Sequence, residues 1–287
     1  MPRNFVLFVV WMVLMLFVQL VSGLGEGLGR ARPPQVRDLG IARYPEGAGQ
    51  RAGLPDARIA VHDWGRTSTR GHYRLGFAHG LAAGRAVEAD HARLAERFSF
   101  RWVDGESFRW QIPTDCVGRE WTCIYSTVLE RSAADLAPVL ARIEAGMTVG
   151  PQAGSGGSPW TTLDAARWLL EFVQQIPYQL PTEHAFGVLP PALVASRDWG
   201  DCDSKSLLLI HLLDHFEIDS ILLRSEAHAH ALVGIAVPSG ERGFLYRGRE
   251  YAWAETTAER APLGWLHPNQ RVPDDWEVVP LRRGGAR

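Results

Sequence analysis

Residues 199–210 combine a short polar segment with an uninterrupted apolar run. The sequence Trp-Gly-Asp-Cys-Asp-Ser-Lys leads directly into Ser-Leu-Leu-Leu-Ile, so Cys202 lies at the threshold of a strongly apolar helix. Gly200 permits a tight turn into this helix, and Asp201 or Asp203 is suited to cap it. The N-terminus of a helix offers unpaired N–H groups and the positive end of the helix dipole, which both stabilise a thiolate. We therefore expect the first turn of this helix to carry a cysteine of lowered pKa.

Strands are predicted after the helix, and they carry the groups that a thiolate nucleophile requires. The predicted strands are 220–223, 228–237 and 251–257. His228 and His230 lie at the start of the second strand, and because alternate residues of a strand share a face, spacing alone does not choose between them. Near the end of the third strand lies Glu255, whose carboxylate can hold an imidazole in one tautomer. A base and an acid partner are thus available to Cys202.

Three motifs in this order carry a resemblance to a known family. Gly-Asp-Cys-Asp before a leucine-rich helix, His-Ala leading a strand, and Glu-Thr-Thr resemble bacterial members of the transglutaminase-like superfamily over about residues 160–270. This resemblance implies a papain-like α+β core in which the cysteine helix packs on an antiparallel sheet that presents the histidine and the acid. In that family a small residue and an apolar run follow the strand histidine, which selects His230 over His228. The implied triad is Cys202, His230 and Glu255, with glutamate where most members have aspartate.

The resemblance also implies acyl-transfer chemistry that needs no cofactor and no metal ion. Cys202 would attack a peptide or carboxamide carbonyl, and His230 would accept the thiol proton and then protonate the leaving amine. We expect hydrolysis of a protein or peptide substrate through a thioester, as in a peptidase or amidase, rather than transamidation. The expected oxyanion donors are the backbone N–H of Cys202 and, second, the side chain of Gln174.

Two other functions remain open at this point. His211 and His215 have the i, i+4 spacing of zinc ligands on a helix, which would make the chain a zinc-dependent hydrolase. No third ligand with convincing spacing appears, and both histidines also fit the polar stripe of a helix. Because a fold does not imply a function, a catalytically silent protein-binding module of an envelope complex is the other alternative.

The N-terminal segment differs in kind from the rest of the chain. Residues 5–21 form an uncharged apolar run, longer than a usual signal-peptide core and just long enough to span a membrane. We expect 1–23 to be a signal peptide or a transmembrane anchor, and the protein to be extracytoplasmic or membrane-anchored. Residues 24–56, rich in Gly, Pro, Arg and Ala, are predicted as a tether.

The domain after the tether is predicted to have two parts. Residues 57–149 form an N-terminal elaboration with a helix and a β-hairpin, and 160–287 form the catalytic core. The hairpin is predicted around Asp104-Gly105, and its alternating aromatic residues give it one aromatic face. Such alternation is typical of core packing, although the face could instead line a substrate cleft.

Cysteine usage and net charge restrict the environment and the partners. Cys116 and Cys123 lie close together in a predicted loop and can form a disulfide in an oxidising compartment, which leaves Cys202 as an odd, reactive candidate. The formal net charge is −2 and the pI about 6.6, so there is no electrostatic case for nucleic-acid binding. The sequence does not determine the oligomeric state.

Overall fold

The computed structural model describes residues 36–43, 58–65, 71–79, 81–103, 107–148, 160–197, 199–238 and 243–282. The chain divides into two units, Met1–Gln35 and Val36–Arg287, and all the described residues belong to the second. The predicted signal peptide or anchor at 1–23 lies outside the described residues. Residues 36–43, which were predicted to be part of the tether, form a strand instead.

A five-stranded antiparallel sheet positions two of the predicted catalytic residues, His230 and Glu255. Its strands, in spatial order, are β10 (Glu277–Val279), β6 (Ser220–Ser225), β7 (His230–Ile235), β9 (Arg249–Ala254) and β8 (Gly243–Tyr246). The central strand β7 is buried on both faces after its first residue, which explains its continuous apolar sequence. On one face the sheet joins the main core, and on the other it covers a smaller cluster of Leu223, Leu232, Trp253, Leu266 and Trp276.

The described residues contain five α-helices, and the last of them packs on the main-core side of the sheet. The helices in chain order are α1 (Leu81–Arg97), α2 (Glu120–Thr148), α3 (Thr162–Gln174), α4 (Pro191–Arg197) and the central α5 (Cys202–His215). Helix α3 begins with a capping box between Thr161 and Asp164. Helix α5 packs against β6, β7, α2, α3 and α4. A helix that is apolar on most of its circumference is stable only in such a buried position.

The N-terminal part of the described chain adds a second sheet and a short hairpin. Strands β1 (Val36–Arg43), β2 (Arg58–Trp64) and β3 (His72–His79) form a sheet of order β1-β3-β2, parallel between β1 and β3 and antiparallel between β3 and β2. The hairpin pairs β4 (Arg101–Trp102) with β5 (Phe108–Arg109), and its predicted turn at Asp104-Gly105 lies outside the described residues. The described structure is therefore an α+β protein with largely antiparallel sheets.

The prediction of a transmembrane helix requires a correction. No helix among the described residues is long and apolar enough to cross a membrane. Residues 5–21, on which that prediction was based, lie outside the described part of the chain.

Candidate active site

The start of β7 and the end of β9 bring an imidazole and a carboxylate together. These two strands are antiparallel neighbours, so His230, the first residue of β7, lies near Glu255, which directly follows β9. Nε2 of His230 is 2.7 Å from Oε2 of Glu255. The other carboxylate oxygen, Oε1, accepts hydrogen bonds from the backbone N–H and the hydroxyl of Thr257, at 2.7 and 2.6 Å. Glu255 is therefore held at both oxygens.

The charge of Glu255 determines the tautomer of His230. Burial by itself would raise the pKa of Glu255, but the hydrogen bond and positive charge of His230, together with the two hydrogen bonds from Thr257, lower it. Because the ionised carboxylate has no proton to donate, Nε2 of His230 must carry the hydrogen of their shared hydrogen bond. In the neutral imidazole Nδ1 is then the basic nitrogen. The pair is thus arranged as a general base with its orienting acid.

Cys202 is the first residue of α5 and the free cysteine of the chain. Asp201 is the N-cap, and its Oδ1 accepts a hydrogen bond from the backbone N–H of Ser204 at 3.0 Å. The backbone N–H groups of Ala231 and Asp203 donate hydrogen bonds to the Cys202 sulfur. Because Ala231 directly follows His230, the sulfur lies at the histidine end of β7.

The prediction of a lowered pKa for Cys202 is wrong. Desolvation by burial raises the pKa of the thiol well above its usual value, and the neighbouring carboxyl groups of Asp203 and Asp201 raise it further. The two backbone N–H groups that donate to the sulfur oppose this shift but do not outweigh it. At rest, Cys202 is therefore a neutral thiol rather than a preformed thiolate.

The two aspartates beside Cys202 form a buried acid pair. Desolvation, followed by the charge of Asp203, raises the pKa of Asp201 to about 7. Burial likewise raises the pKa of Asp203, although the hydroxyl of Tyr125, which donates to Asp203 Oδ1 at 3.0 Å, partly opposes that shift. The negative charge of this acid pair therefore disfavours ionisation of the Cys202 thiol.

A cavity of about 350 Å³ leads to Cys202. Its polar end consists of Asp201, Cys202 and Asp203. Most of the remaining wall is aromatic and is lined by Phe100, Trp102, Phe108, Trp110, Trp121, Tyr178 and Phe186. The prediction that the aromatic face of the hairpin packs in the core therefore holds only in part: Phe98 is fully buried, whereas Phe100, Trp102, Phe108 and Trp110 face the cavity.

The other predicted histidines lie elsewhere. His228 lies in the turn between β6 and β7, not on the predicted strand, and its Nε2 is 3.1 Å from Asp275 Oδ2. His215 on α5 has its Nε2 3.4 Å from Oε2 of Glu144. Among the described residues, the side chains grouped closely enough to share a metal ion are those of Asp115, Cys116 and Cys123, so the zinc interpretation of His211 and His215 has no third ligand.

The predicted oxyanion role of Gln174 is not compatible with its contacts. Its Nε2 donates to the backbone carbonyls of Glu255 and Ala261, both at 2.8 Å, so both amide hydrogens are used. Gln174 is also absent from the lining of the cavity that contains Cys202. It instead anchors the segment that carries Glu255.

Sequence reasoning missed Lys205, the only lysine in the chain, as a component of the site. Its side chain is fully buried one turn after Cys202, and its Nζ donates to the carbonyl of Ile176 at 2.5 Å. Burial lowers its pKa to about 8, while the charge of Glu255 opposes that shift. One feature of the sequence could have indicated this role. The single lysine lies within the cysteine motif, whereas arginine is used at the other positions where lysine or arginine could occur.

Cys116 and Cys123 are joined in a disulfide, with their Cα atoms 5.6 Å apart. The bond connects the segment after the aromatic hairpin to the first turn of α2. It therefore stabilises an element next to the cavity and does not contact Cys202, His230 or Glu255 directly.

Comparison with known proteins does not identify the chain: no protein-family model matches it, and no curated protein matches it either.

Proposed function

We propose that this chain is a cysteine-dependent acyl-transfer enzyme that hydrolyses a peptide or carboxamide bond. The observation that carries the proposal is the 2.7 Å hydrogen bond between His230 and Glu255, together with the sulfur of Cys202 at the adjacent N–H of Ala231. A nucleophile, a base and an acid that orients the base are the parts that thiol catalysis requires. Cys202 also faces a cavity that a substrate could enter.

The arrangement supports a general-base mechanism. The neutral thiol of Cys202 gives its proton to Nδ1 of His230 as the sulfur attacks the carbonyl carbon. The histidine then protonates the leaving amine, the carbon–nitrogen bond breaks, and a thioester remains on Cys202. Water, deprotonated by His230, hydrolyses the thioester to a carboxylic acid and restores the thiol. The backbone N–H groups in the first turn of α5 are the donors suited to the oxyanion.

The central helix on an antiparallel sheet also supports assigning the fold to the papain-like, transglutaminase-like class. Its cysteine lies at the helix start, its histidine at the start of the central strand, and its acid after the next strand. This order and placement match the expectation from the three sequence motifs.

The rate at which iodoacetamide alkylates Cys202, followed by mass spectrometry, tests the proposal. We expect His230→Ala to slow this reaction about tenfold or more near neutral pH, because the thiol has lost its base. His228→Ala is the matched control, since His228 lies in the adjacent turn and pairs with Asp275 instead. Equal rates in the wild type and His230→Ala would contradict a Cys–His couple.

A catalytically silent protein-binding module is the second candidate. The observation that favours it is the raised pKa of the Cys202 thiol, which a binding module would tolerate. The same experiment separates the two candidates, because a silent module predicts slow alkylation that does not depend on His230.

A further inference from the structure

The cavity beside Cys202 exposes aromatic surface. Phe108 is 41% exposed and Tyr178 is 53% exposed, although large apolar side chains are more stable when buried. Both residues line the cavity that contains Cys202. Concave apolar surface that converges on a few polar groups is typical of a small-molecule or side-chain binding site.

Contacts within the wall hold its aromatic rings in place. The rings of Phe100 and Phe108 are stacked with centroids 5.2 Å apart, and Trp102 lies edge-on to Phe100 at 5.4 Å. The indole Nε1 of Trp102 donates to the carbonyl of His184 at 3.1 Å. A wall that is ordered before binding loses less conformational entropy when a ligand binds.

Gly187 provides independent evidence of close packing in this wall. A Cβ atom at this position would lie 2.8 Å from the ring of Phe100, which is closer than real Cβ contacts. Glycine therefore lets the backbone at position 187 pack directly against the ring of Phe100. The position of the aromatic surface depends on this contact.

The acidic groups of the cavity already have hydrogen-bond partners within the protein. Asp201 caps α5 through Ser204, and Asp203 accepts the hydroxyl of Tyr125. The remaining lining residues carry no acidic or basic side chain. The cavity therefore suits an uncharged, flat and apolar group.

We propose that this cavity selects substrates that carry an aromatic side chain on the acyl group transferred to Cys202. The inference rests on the proposed function, because it assigns the substrate class of the same site. The acyl group is the part that remains attached to the sulfur, and the aromatic wall begins beside that sulfur.

Matched covalent probes test this inference on the full-length protein. The probes are N-acetyl chloromethyl ketones of phenylalanine, alanine and lysine. In each reaction the Cys202 sulfur bonds to the methylene carbon, the carbon–chlorine bond breaks, chloride leaves, and His230 receives the thiol proton. Each rate constant is divided by the iodoacetamide rate of the same protein, which removes differences in the thiol itself.

We expect the phenylalanine probe to react about tenfold or more faster than the alanine probe, because its ring is buried against the wall. The lysine probe should be no faster than the alanine probe. Equal rates for the phenylalanine and alanine probes would overturn the inference. A lysine probe that reacts faster than the phenylalanine probe would also overturn it, because that result would indicate an aromatic site for cations.

Phe108→Ala and Tyr246→Ala form the matched variant pair. Phe108 lies in the wall and is partly exposed, so its truncation to alanine creates little empty space in the hydrophobic core. Tyr246 lies on the edge strand β8. We expect Phe108→Ala to reduce the phenylalanine preference about threefold or more, and Tyr246→Ala to preserve it. An unchanged preference in Phe108→Ala would overturn the inference. If iodoacetamide alkylation still depends on His230, the proposed function stands even when the aromatic preference is absent.

Discussion

Nε2 of His230 lies 2.7 Å from Oε2 of Glu255, and Thr257 holds the other oxygen of the same carboxylate. Glutamate, whose side chain is longer than that of aspartate, therefore reaches the imidazole at this position, and both of its carboxylate oxygens accept hydrogen bonds. An acid held in this way fixes the orientation of the ring and leaves Nδ1 as the base.

Glu255→Gln should slow the alkylation of Cys202 by iodoacetamide about tenfold or more. The amide no longer stabilises the imidazolium that forms when His230 takes the thiol proton, and it can favour the wrong tautomer. Glu259→Gln is the control, because the Glu259 side chain is largely exposed. A rate equal to that of the wild type would show that Glu255 is only structural.

Asp203→Asn should lower the pKa of the Cys202 thiol. Burial raises that pKa most, and the charge of Asp203 is the next contribution. Asparagine removes this charge but can still accept the hydroxyl of Tyr125. The pH profile of alkylation should therefore move to lower pH, whereas the exposed Asp274→Asn should leave it in place. A shift to higher pH would contradict the assigned electrostatics.

Gln174→Leu should lower the free energy of unfolding by about 2 kcal/mol, because the buried carbonyl of Glu255 and the partly buried carbonyl of Ala261 lose their donor. Urea denaturation measures this loss, with the exposed Gln111→Leu as control. The substitution should also slow alkylation of Cys202 by loosening the segment that carries Glu255. Unchanged stability of Gln174→Leu would contradict this anchoring role.

Lys205→Met should change how stability depends on pH. The pKa of Lys205 is lowered to about 8 in the folded protein, so above that pH the unfolded chain holds more protons than the folded one. This difference makes the wild type more stable as pH rises from about 8 to about 10, by at most about 3 kcal/mol. Comparison of urea denaturation at several pH values should show that Lys205→Met lacks this rise. Parallel pH profiles would contradict the lowered pKa.

The double variant Cys116→Ser/Cys123→Ser should be less stable than the wild type by about 2 kcal/mol. A bond that closes a short loop restricts the unfolded chain by roughly that amount. Urea denaturation with and without a reducing agent measures the effect. Reduction should destabilise the wild type and leave the double variant unchanged; equal stabilities under oxidising conditions would show that the bond contributes nothing.

Patterns between residues close in the chain were sufficient to predict several elements. The helix that begins at Cys202 was predicted from its cap and its apolar run. Aromatic alternation likewise predicted a hairpin, although its paired strands are shorter than expected. These features depend on backbone hydrogen bonds and side-chain spacing within one or two turns.

Contacts between distant residues decided the properties of the site. His228 lies in the turn before β7, so His230 is the histidine that contacts Glu255. Burial of Cys202, followed by the charges of Asp203 and Asp201, raises rather than lowers the pKa of its thiol. Gln174 donates to backbone carbonyls far along the chain. The sequence by itself determined which chemical groups are present and where the cysteine helix begins. Only the tertiary structure decided which groups meet and how strongly they are desolvated, because burial and long-range hydrogen bonds depend on segments that are distant in sequence.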